Sequence, residues 1–309
     1  GTELFHLAVN FLTAFCNTTV ILCSATQPSL AHLKENNLFD CIEMTGSSGR
    51  YAEAFRRVEI EDKTKLVPGG MEPEDVGEFA VKAFREFGSV LIIVNTTKCA
   101  KRIYEELKRR CGESCALYHL STRMCPKNRK EELESIKRDL KDKKPLICVS
   151  TQLIEAGVNL SFCCVIRSLA GLDSIIQAAG RCNRHKERAR GKVYIVKLSQ
   201  AAERLDSLYD IRRAQEAAEK FLYYFNQTPE EFGGFLDSEA SVKAYYEEYF
   251  HDSNAEPTKY PSSSCETTLE ELLGRNKPGR GQFVRRHGGS EKAPLMCQAF
   301  ATAGNEYKG

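Results

Sequence analysis

The stretch that decides the fold is residues 145–188, PLICVSTQLIEAGVNLSFCCVIRSLAGLDSIIQAAGRCNRHKER. It contains two continuous apolar runs, at residues 146–149 and 162–166. Runs of this kind predict strands that are buried on both faces. A helical pattern begins near Asp173. Strands followed by a helix in this order predict part of a parallel sheet that is covered by helices.

The helix predicted from Asp173 carries a polar stripe. Gln177, Gly180, Arg181 and Arg184 are spaced i, i+3, i+4 and i+7. This spacing places them on one helical face. An amide and two guanidinium groups on one face predict contact with an anion.

The pattern of this stretch extends over the middle of the chain, where strands and helices alternate. Near-continuous apolar strands joined by helices predict a doubly wound parallel α/β sheet, if the crossovers are right-handed. An apolar run at residues 20–24 predicts one more buried strand further upstream. We predict strands at residues 55–60, 90–94, 116–119, 146–149, 162–166 and 193–198, and helices at residues 73–87, 97–110, 126–141, 204–225 and 239–250.

The bulk composition is that of a soluble globular protein. The 309 residues are 42% hydrophobic and 28% charged, and they leave room for one large or two ordinary domains. The net charge of +2 excludes a global basic field, so binding to nucleic acid requires a local patch. One candidate is residues 184–192, RHKERARGK, for which an exposed surface loop is the alternative.

The cysteines and the lengths of the apolar runs predict the cellular location of the protein. The thirteen cysteines are scattered and form no CxxC pair, which predicts reduced thiols and no zinc or other metal site. The first fifteen residues lack the basic start and cleavage site of a signal peptide. Because no apolar run approaches the length that spans a bilayer, we expect a cytoplasmic protein that does not enter a membrane.

Three motifs in this order resemble those of superfamily two helicases: SAT at residues 24–26, VSTQLIEAGVN at residues 149–159 and QAAGRCNR at residues 177–184. Together with YHLSTRMCPKNRKEEL at residues 118–133, they resemble the helicase-nuclease subunit of type I CRISPR systems. SAT alone is common, whereas the last two motifs joined are specific. The resemblance covers roughly residues 4–198.

This resemblance implies a motor of two RecA-like domains that hydrolyses ATP with Mg²⁺ and pulls single-stranded DNA in antiviral defence. A CRISPR RNA-guided surveillance complex is the implied partner. The sequence contains no GxxxxGK P-loop (Walker A), no DExx box and no HD nuclease pattern. We therefore expect the end of the first RecA-like domain at residues 1–45, the second at residues 46–200 and a mostly helical accessory region at residues 201–309. ATP would be bound mainly by the P-loop domain, and this chain alone would be inactive.

The resemblance also assigns roles to residues. Arg181 and Arg184 are similar to arginine fingers that contact ATP phosphates, since a planar, permanently charged fork suits phosphoryl transfer. Nucleotide-binding roles are implied for Gln177, Gly180, Gly157 and Asn159, although the family usually has aspartate at the position of Asn159.

Four hydroxyl residues follow predicted strands and resemble DNA phosphate contacts: Thr96, Ser121, Thr122 and Thr151. Helix capping is an alternative role for Thr96. Ser24, Ala25 and Thr26 resemble the motif that couples ATP state to domain closure.

Three further readings stay open. Glu155 is expected either to pair with a basic residue or to be structural. Tyr245, Tyr246 and Tyr249 could stack on bases or belong to the core. A non-catalytic nucleic-acid-binding or regulatory module derived from a helicase is the alternative function.

Overall fold

The computed structural model describes residues 2–16, 18–23, 42, 44, 56–112, 115–155, 158–251, 261–262 and 267–268. The chain divides into two compact units, one of residues 1–24, 29–46 and 250–309 and the other of residues 25–28 and 47–249. In the first unit the described elements are helix α1 (Thr2–Phe15) and an antiparallel pair of two-residue strands, Pro261–Ser262 and Thr267–Thr268.

The second unit is built on six parallel strands, so the predicted parallel sheet is confirmed. The strands stand in the order β1-β6-β5-β2-β4-β3, with β1 at one edge and β3 at the other. The central strand β2 pairs on one side with β4 and on the other with β5. Their bounds are β1 (Val58–Asp62), β2 (Ser89–Val94), β3 (Ala116–Leu120), β4 (Leu146–Thr151), β5 (Cys164–Ser168) and β6 (Gly191–Val196).

Helices cover both faces of this sheet. Alternate side chains of β2 point to opposite sides, because successive residues of a strand face opposite ways. Val90 and Ile92 pack in one buried cluster, and Leu91 and Ile93 pack in another. The first cluster includes residues of α2 (Pro73–Phe87) and α3 (Thr97–Cys111), and the second includes residues of α4 (Pro126–Lys141) and α5 (Leu172–Ala179). The doubly wound architecture is therefore confirmed.

Two longer helices follow the sheet. They are α6 (Tyr209–Phe225) and α7 (Glu239–His251), and they form a third buried cluster with residues around the end of β5 and the start of α5. The helix predicted at residues 204–225 thus begins five residues later than expected. Residues 200–203 instead form a turn, and the Glu203 side chain accepts hydrogen bonds at the end of β2.

The helix predicted through Arg184 ends at Ala179, so the predicted polar stripe does not lie on one helical face. The reason is a contact with a distant part of the chain. Phe162 N–H donates to the Arg181 carbonyl at 2.9 Å, and Asn183 N–H donates to the Phe162 carbonyl at 2.8 Å. These two bonds form a parallel bridge between Phe162 and Cys182, which draws the chain out of the helix.

The strand predicted at residues 20–24 is also wrong where the structure describes it. Residues 18–23 have no regular structure, and Ile21 is 70% exposed. A strand needs a hydrogen-bonding partner, and none of the described strands pairs with residues 20–23.

A hydrogen bond joins the edge strand β3 to α4, and its contribution to stability should depend on pH. The Tyr118 hydroxyl donates to Asp139 Oδ2 at 2.5 Å, and Lys144 lies 3.1 Å from Asp139 Oδ1. The hydrogen bond from Tyr118, and then the Lys144 ammonium, hold the pKa of Asp139 below its ordinary value. A depressed carboxyl pKa stabilises the fold above the unfolded pKa, and this contribution is lost as pH falls through the folded pKa.

Tyr118→Phe is expected to lower the free energy of unfolding by about 1 kcal/mol at pH 7. The difference should shrink as pH falls through the lowered pKa of Asp139, because the carboxylate that accepts from Tyr118 is then lost. Urea unfolding at pH 7 and at pH 3 measures both values. Ser135→Ala, which removes an exposed hydrogen bond on the same helix, is the control. A difference that does not depend on pH would contradict this account.

Candidate nucleotide and nucleic-acid interface

The parallel strands give the sheet a carboxyl edge, where the strands end, and an amino edge, where they begin. Thr96, Ser121 and Thr151 lie at the ends of β2, β3 and β4, which are neighbours in the sheet. Val94 is in register with Thr151, and Leu120 with Ser150. The structure therefore brings together at the carboxyl edge the hydroxyl residues that the sequence singled out, with Thr122 directly after Ser121.

These hydroxyl residues differ in their accessibility. Thr122 is exposed and Thr96 is half-buried, whereas Ser121 and Thr151 are buried. Thr96 caps α3, since its Oγ1 accepts the Cys99 N–H at 3.2 Å. A hydroxyl that accepts one hydrogen bond can still donate another. Capping and phosphate binding are thus compatible at Thr96, and Thr122 is the most accessible member of the group.

An acidic side chain that sequence analysis missed lies at the same edge. Glu203 Oε1 accepts the backbone N–H of Asn95 at 2.6 Å and that of Thr96 at 3.2 Å. Glu203 is 6% exposed, and burial raises its pKa. Two backbone donors at the end of β2 are therefore already occupied. The hydroxyl of Thr96 is not one of the donors that Glu203 occupies.

Two of the other predicted site residues, Arg181 and Arg184, have their backbone at the amino edge. After β5 the chain passes through α5 and enters β6 at its amino end, so residues 180–190 lie where the strands begin. Two contacts support this position. Arg57, just before β1, donates to the Arg184 carbonyl at 2.7 Å, and Arg188 donates to the carbonyl of Phe87, just before β2.

The two arginines of the QAAGRCNR motif differ in how their side chains are held. Arg181 is 9% exposed, and its Nε and Nη2 donate to the carbonyls of Ile154 at 2.9 Å and Glu155 at 2.5 Å. Burial lowers the pKa of Arg181, and neighbouring Arg184 adds to this shift. Arg184 is half-buried, and its backbone N–H donates to Ser161 Oγ at 2.9 Å. Within the described part of the chain its guanidinium has no hydrogen bond or ion pair, so it is available to an anion.

The remaining nucleotide-binding candidates are only partly described. Gln177 is exposed on the last turn of α5, and Gly180 is the residue that ends this helix. Asn159 lines a cavity of about 210 Å³ at the amino edge, together with Lys137, Lys141 and His185. Gly157, Ser24, Ala25 and Thr26 lie outside the described residues.

A buried charged network runs beneath the carboxyl edge, and sequence analysis did not identify it. Its centre is Arg167 on β5, which is fully buried. Arg167 Nε lies 3.0 Å from Glu155 Oε1, and Nη1 donates to Asn95 Oδ1 at 2.8 Å. Asn95 Nδ2 in turn donates to Glu203 Oε2 at 2.8 Å. The expected pairing of Glu155 with a basic residue is thus seen, with Arg167 as the partner.

The sequence held a signal for this network. An arginine within the apolar run CCVIRSL has to bury its charge, and a buried charge requires a partner. Burial raises the pKa of Glu155, while the charge of Arg167 opposes this shift. The other members of the network are distant from Arg167 in the sequence. Glu155 lies 12 residues away, Glu203 lies 36 away and Asn95 lies 72 away. Local spacing could not have identified them.

The tyrosines of α7 belong to the core. Tyr245 is 1% exposed, within the cluster that α6 and α7 form. Tyr246 and Tyr249 are half-buried and pack against the same cluster. The structure favours the core reading over base stacking for these residues.

In the described residues no group of three or more histidine, cysteine, aspartate or glutamate side chains is arranged to hold a metal ion. The helices that the structure describes include none that is long and apolar enough to cross a bilayer.

The central segment of the chain is similar to a known protein family. Residues 86–187 match the model of the family described as CRISPR-associated nuclease/helicase Cas3, C-terminal. The CRISPR-associated nuclease/helicase Cas3 of Haloferax volcanii is 41% identical over 91 residues, which are 29% of this chain and 10% of that protein. The Cas3 nuclease/helicase of Methanothermobacter thermautotrophicus is 31% identical over 99 residues, which are 32% of this chain and 11% of that protein. The matches thus span about a tenth of these curated relatives.

A solved structure supports the fold. The crystal structure of T. fusca Cas3-ADP aligns with a TM-score of 0.52 and 21% identity, over 65% of this chain and 25% of that chain. The α/β, RecA-like fold class predicted from the sequence is confirmed. The predicted resemblance is also confirmed, since the chain contains a Cas3-like C-terminal segment.

Glu155→Gln is expected to lower the free energy of unfolding by about 3–5 kcal/mol, because it removes the carboxylate that lies 3.0 Å from the buried Arg167 guanidinium. Glu219→Gln is the matched control. It breaks an exposed ion pair with Lys197 and should cost less than about 1 kcal/mol. Chemical unfolding of the three chains gives both values. If both variants lose the same free energy of unfolding, the buried ion pair stabilises the fold no more than the exposed one.

Proposed function

We propose that this chain is part of a CRISPR-associated, ATP-dependent helicase that moves along single-stranded DNA in antiviral defence. Residues 46–200 form its second motor domain, and residues 201–309 belong to an accessory region. The proposal rests on the Cas3-like segment at residues 86–187, which contains the hydroxyl residues of the carboxyl edge and both arginines of the amino edge. The observation that carries it is that the hydroxyl residues follow the carboxyl ends of neighbouring strands, whereas the backbone of both arginines lies at the amino edge.

The carboxyl edge is proposed to hold the DNA backbone. Hydroxyl donors to phosphate give a grip that does not depend on base sequence, as translocation requires. Thr122 is exposed and Thr96 is half-buried, so both can reach a phosphate without a change in the fold. Ser121 and Thr151 lie beneath them, and Thr151 Oγ1 has no hydrogen-bond partner among the described residues.

The amino edge is proposed to face the phosphates of ATP, bound with Mg²⁺ mainly by the P-loop domain of the motor. Arginine fingers stabilise the charge that spreads over the transferring phosphoryl group. Arg184 can act in this way directly, since its guanidinium is unpaired among the described residues. Arg181 would first have to give up its bonds to the carbonyls of Ile154 and Glu155. Gln177, Gly180, Gly157 and Asn159 would complete the contacts to the nucleotide.

The wider setting follows from the same proposal. The partners are single-stranded DNA, a CRISPR RNA-guided surveillance complex, and the P-loop and nuclease regions of the motor. Residues 1–45 would end the first motor domain, where Ser24, Ala25 and Thr26 couple the nucleotide state to closure. The location would be cytoplasmic.

Thr122→Ala is expected to weaken binding to single-stranded DNA by a few-fold up to about tenfold, because one hydrogen bond to a phosphate is lost. The fold should be unaffected, since Thr122 is exposed. Fluorescence anisotropy with a labelled oligothymidylate measures the Kd. Thr228→Ala, at another exposed threonine, is the control and should leave the Kd unchanged. Equal Kd values for the two variants would argue against a DNA contact at the carboxyl edge.

The nucleotide side is tested by mixing the chain with a polypeptide that carries the P-loop domain. The mixture should hydrolyse ATP in the presence of single-stranded DNA, and Arg184→Ala should slow hydrolysis by about 10³-fold. Arg85→Ala, at an exposed arginine of α2, should have no effect. Hydrolysis by the chain alone at the rate of the mixture would contradict the assignment of the P-loop to another domain. If the chain binds DNA but Arg184→Ala does not change the rate of ATP hydrolysis, the result would favour a non-catalytic nucleic-acid-binding module.

A further inference from the structure

We infer that Arg167 is a positioning residue that connects the DNA-facing edge of the sheet to Arg181. This inference rests on the proposed function and goes beyond it, since neither the motif pattern nor the matched family description assigns Arg167 a role. The connection is an unbroken series of short polar contacts between buried groups. It runs from Arg181 through Glu155, Arg167 and Asn95 to the residue before Thr96.

The first link holds Arg181. Its guanidinium donates to the carbonyls of Ile154 and Glu155. These two residues lie at the end of the 3₁₀ turn Gln152–Ile154 that follows β4. The direction in which Arg181 points therefore depends on the backbone of these two residues. Any shift of this turn changes the acceptors that Arg181 uses.

The second link holds that turn. Glu155 is 8% exposed, and its carboxylate lies 3.0 Å from Arg167 Nε. A carboxylate at this depth has no comparable alternative partner in solvent, so its position follows that of Arg167. Glu155 thus accepts from Arg181 through its carbonyl and pairs with Arg167 through its side chain.

The third link reaches the carboxyl edge. Arg167 Nη1 donates to Asn95 Oδ1 at 2.8 Å and to Ser168 Oγ at 3.1 Å. Asn95 follows the last residue of β2 and precedes Thr96. Its own amide nitrogen and backbone N–H donate to the Glu203 carboxylate. A phosphate held by Thr96 therefore acts one residue away from a direct partner of Arg167.

The charges explain why this series would transmit a displacement. The Arg167 side chain is fully buried, and the carboxylates of Glu155 and Glu203 both lie near it. Its Nη1 donates hydrogen bonds, its Nε lies 3.0 Å from Glu155 Oε1, and its Nη2 has no hydrogen-bond partner in the described residues. Contacts in such a low-dielectric network are strong and depend on one another. Movement of Asn95 would thus shift the balance between Arg167 and Glu155, and with it the carbonyls that bind Arg181.

The test follows Arg181 by NMR in the chain labelled with ¹⁵N-arginine. Its Nε–H signal is assigned by its loss in Arg181→Lys. Without DNA, Asn95→Ser should shift this signal and speed its exchange with water by about tenfold, although Asn95 does not contact Arg181. Glu203→Gln, which preserves the side-chain shape, is the second variant and decides the matter if Asn95→Ser does not fold. Tyr118→Phe, which removes a hydrogen bond outside the network, is the control and should leave the signal in place.

A second measurement adds oligothymidylate to saturation. The Arg181 signal should shift in the wild-type chain, and the shift should be at least halved in Arg167→Lys, because lysine cannot contact Glu155 and Asn95 together. An Arg181 signal that is the same in wild type, Asn95→Ser and Glu203→Gln, with all three folded, would overturn the inference. If wild type fails to bind the oligonucleotide, the proposed DNA function is contradicted instead, and the DNA-free comparison still decides whether Arg167 positions Arg181.

Discussion

The burial of one positive charge inside an apolar sheet is the constraint on which this structure depends. Arg167 lies on β5 between apolar strands, with no exposed surface. A charge in this position is tolerated only when it is paired and hydrogen-bonded. The requirement brings Glu155 from beyond β4, Asn95 from the end of β2 and Glu203 from beyond β6 to one point. Three connections of the sheet are therefore fixed relative to one another by a single side chain.

The parallel direction of the strands determines how the candidate site is divided. Every strand ends at the same edge, so residues that follow different strands gather there, as the hydroxyl residues do. The chain must return to the amino edge before each new strand. The segment between β4 and β5 makes this return and carries Glu155 and Asn159, while α5 makes the next one and leads to Arg184. Opposite edges of the sheet can thus meet two different anions.

Much of this architecture could be predicted from the sequence because its signals are local. The bounds of α2 and α4 agree with prediction, since each helix begins at a proline in its first turn and follows a helical apolar pattern. The central strands were found as apolar runs. The predictions that were wrong depend on contacts between distant parts of the chain. The helix stops at Ala179 because residues 181 and 183 form hydrogen bonds with Phe162. Residues 20–23 are not a strand, because no described strand pairs with them. The partners of Arg167 were missed for the same reason, and so was the buried state of Arg181.

We propose that single-stranded DNA binds the carboxyl edge of the sheet and not the basic segment at residues 184–192. Chemical-shift mapping of the ¹⁵N-labelled chain with an oligothymidylate tests this claim most directly, because both surfaces report in one titration. We predict that the largest changes fall on the backbone amides of Thr96, Ser121, Thr122 and Thr151, with small changes in residues 184–192. Changes concentrated in residues 184–192, with the amides of the carboxyl edge unmoved, would contradict the account.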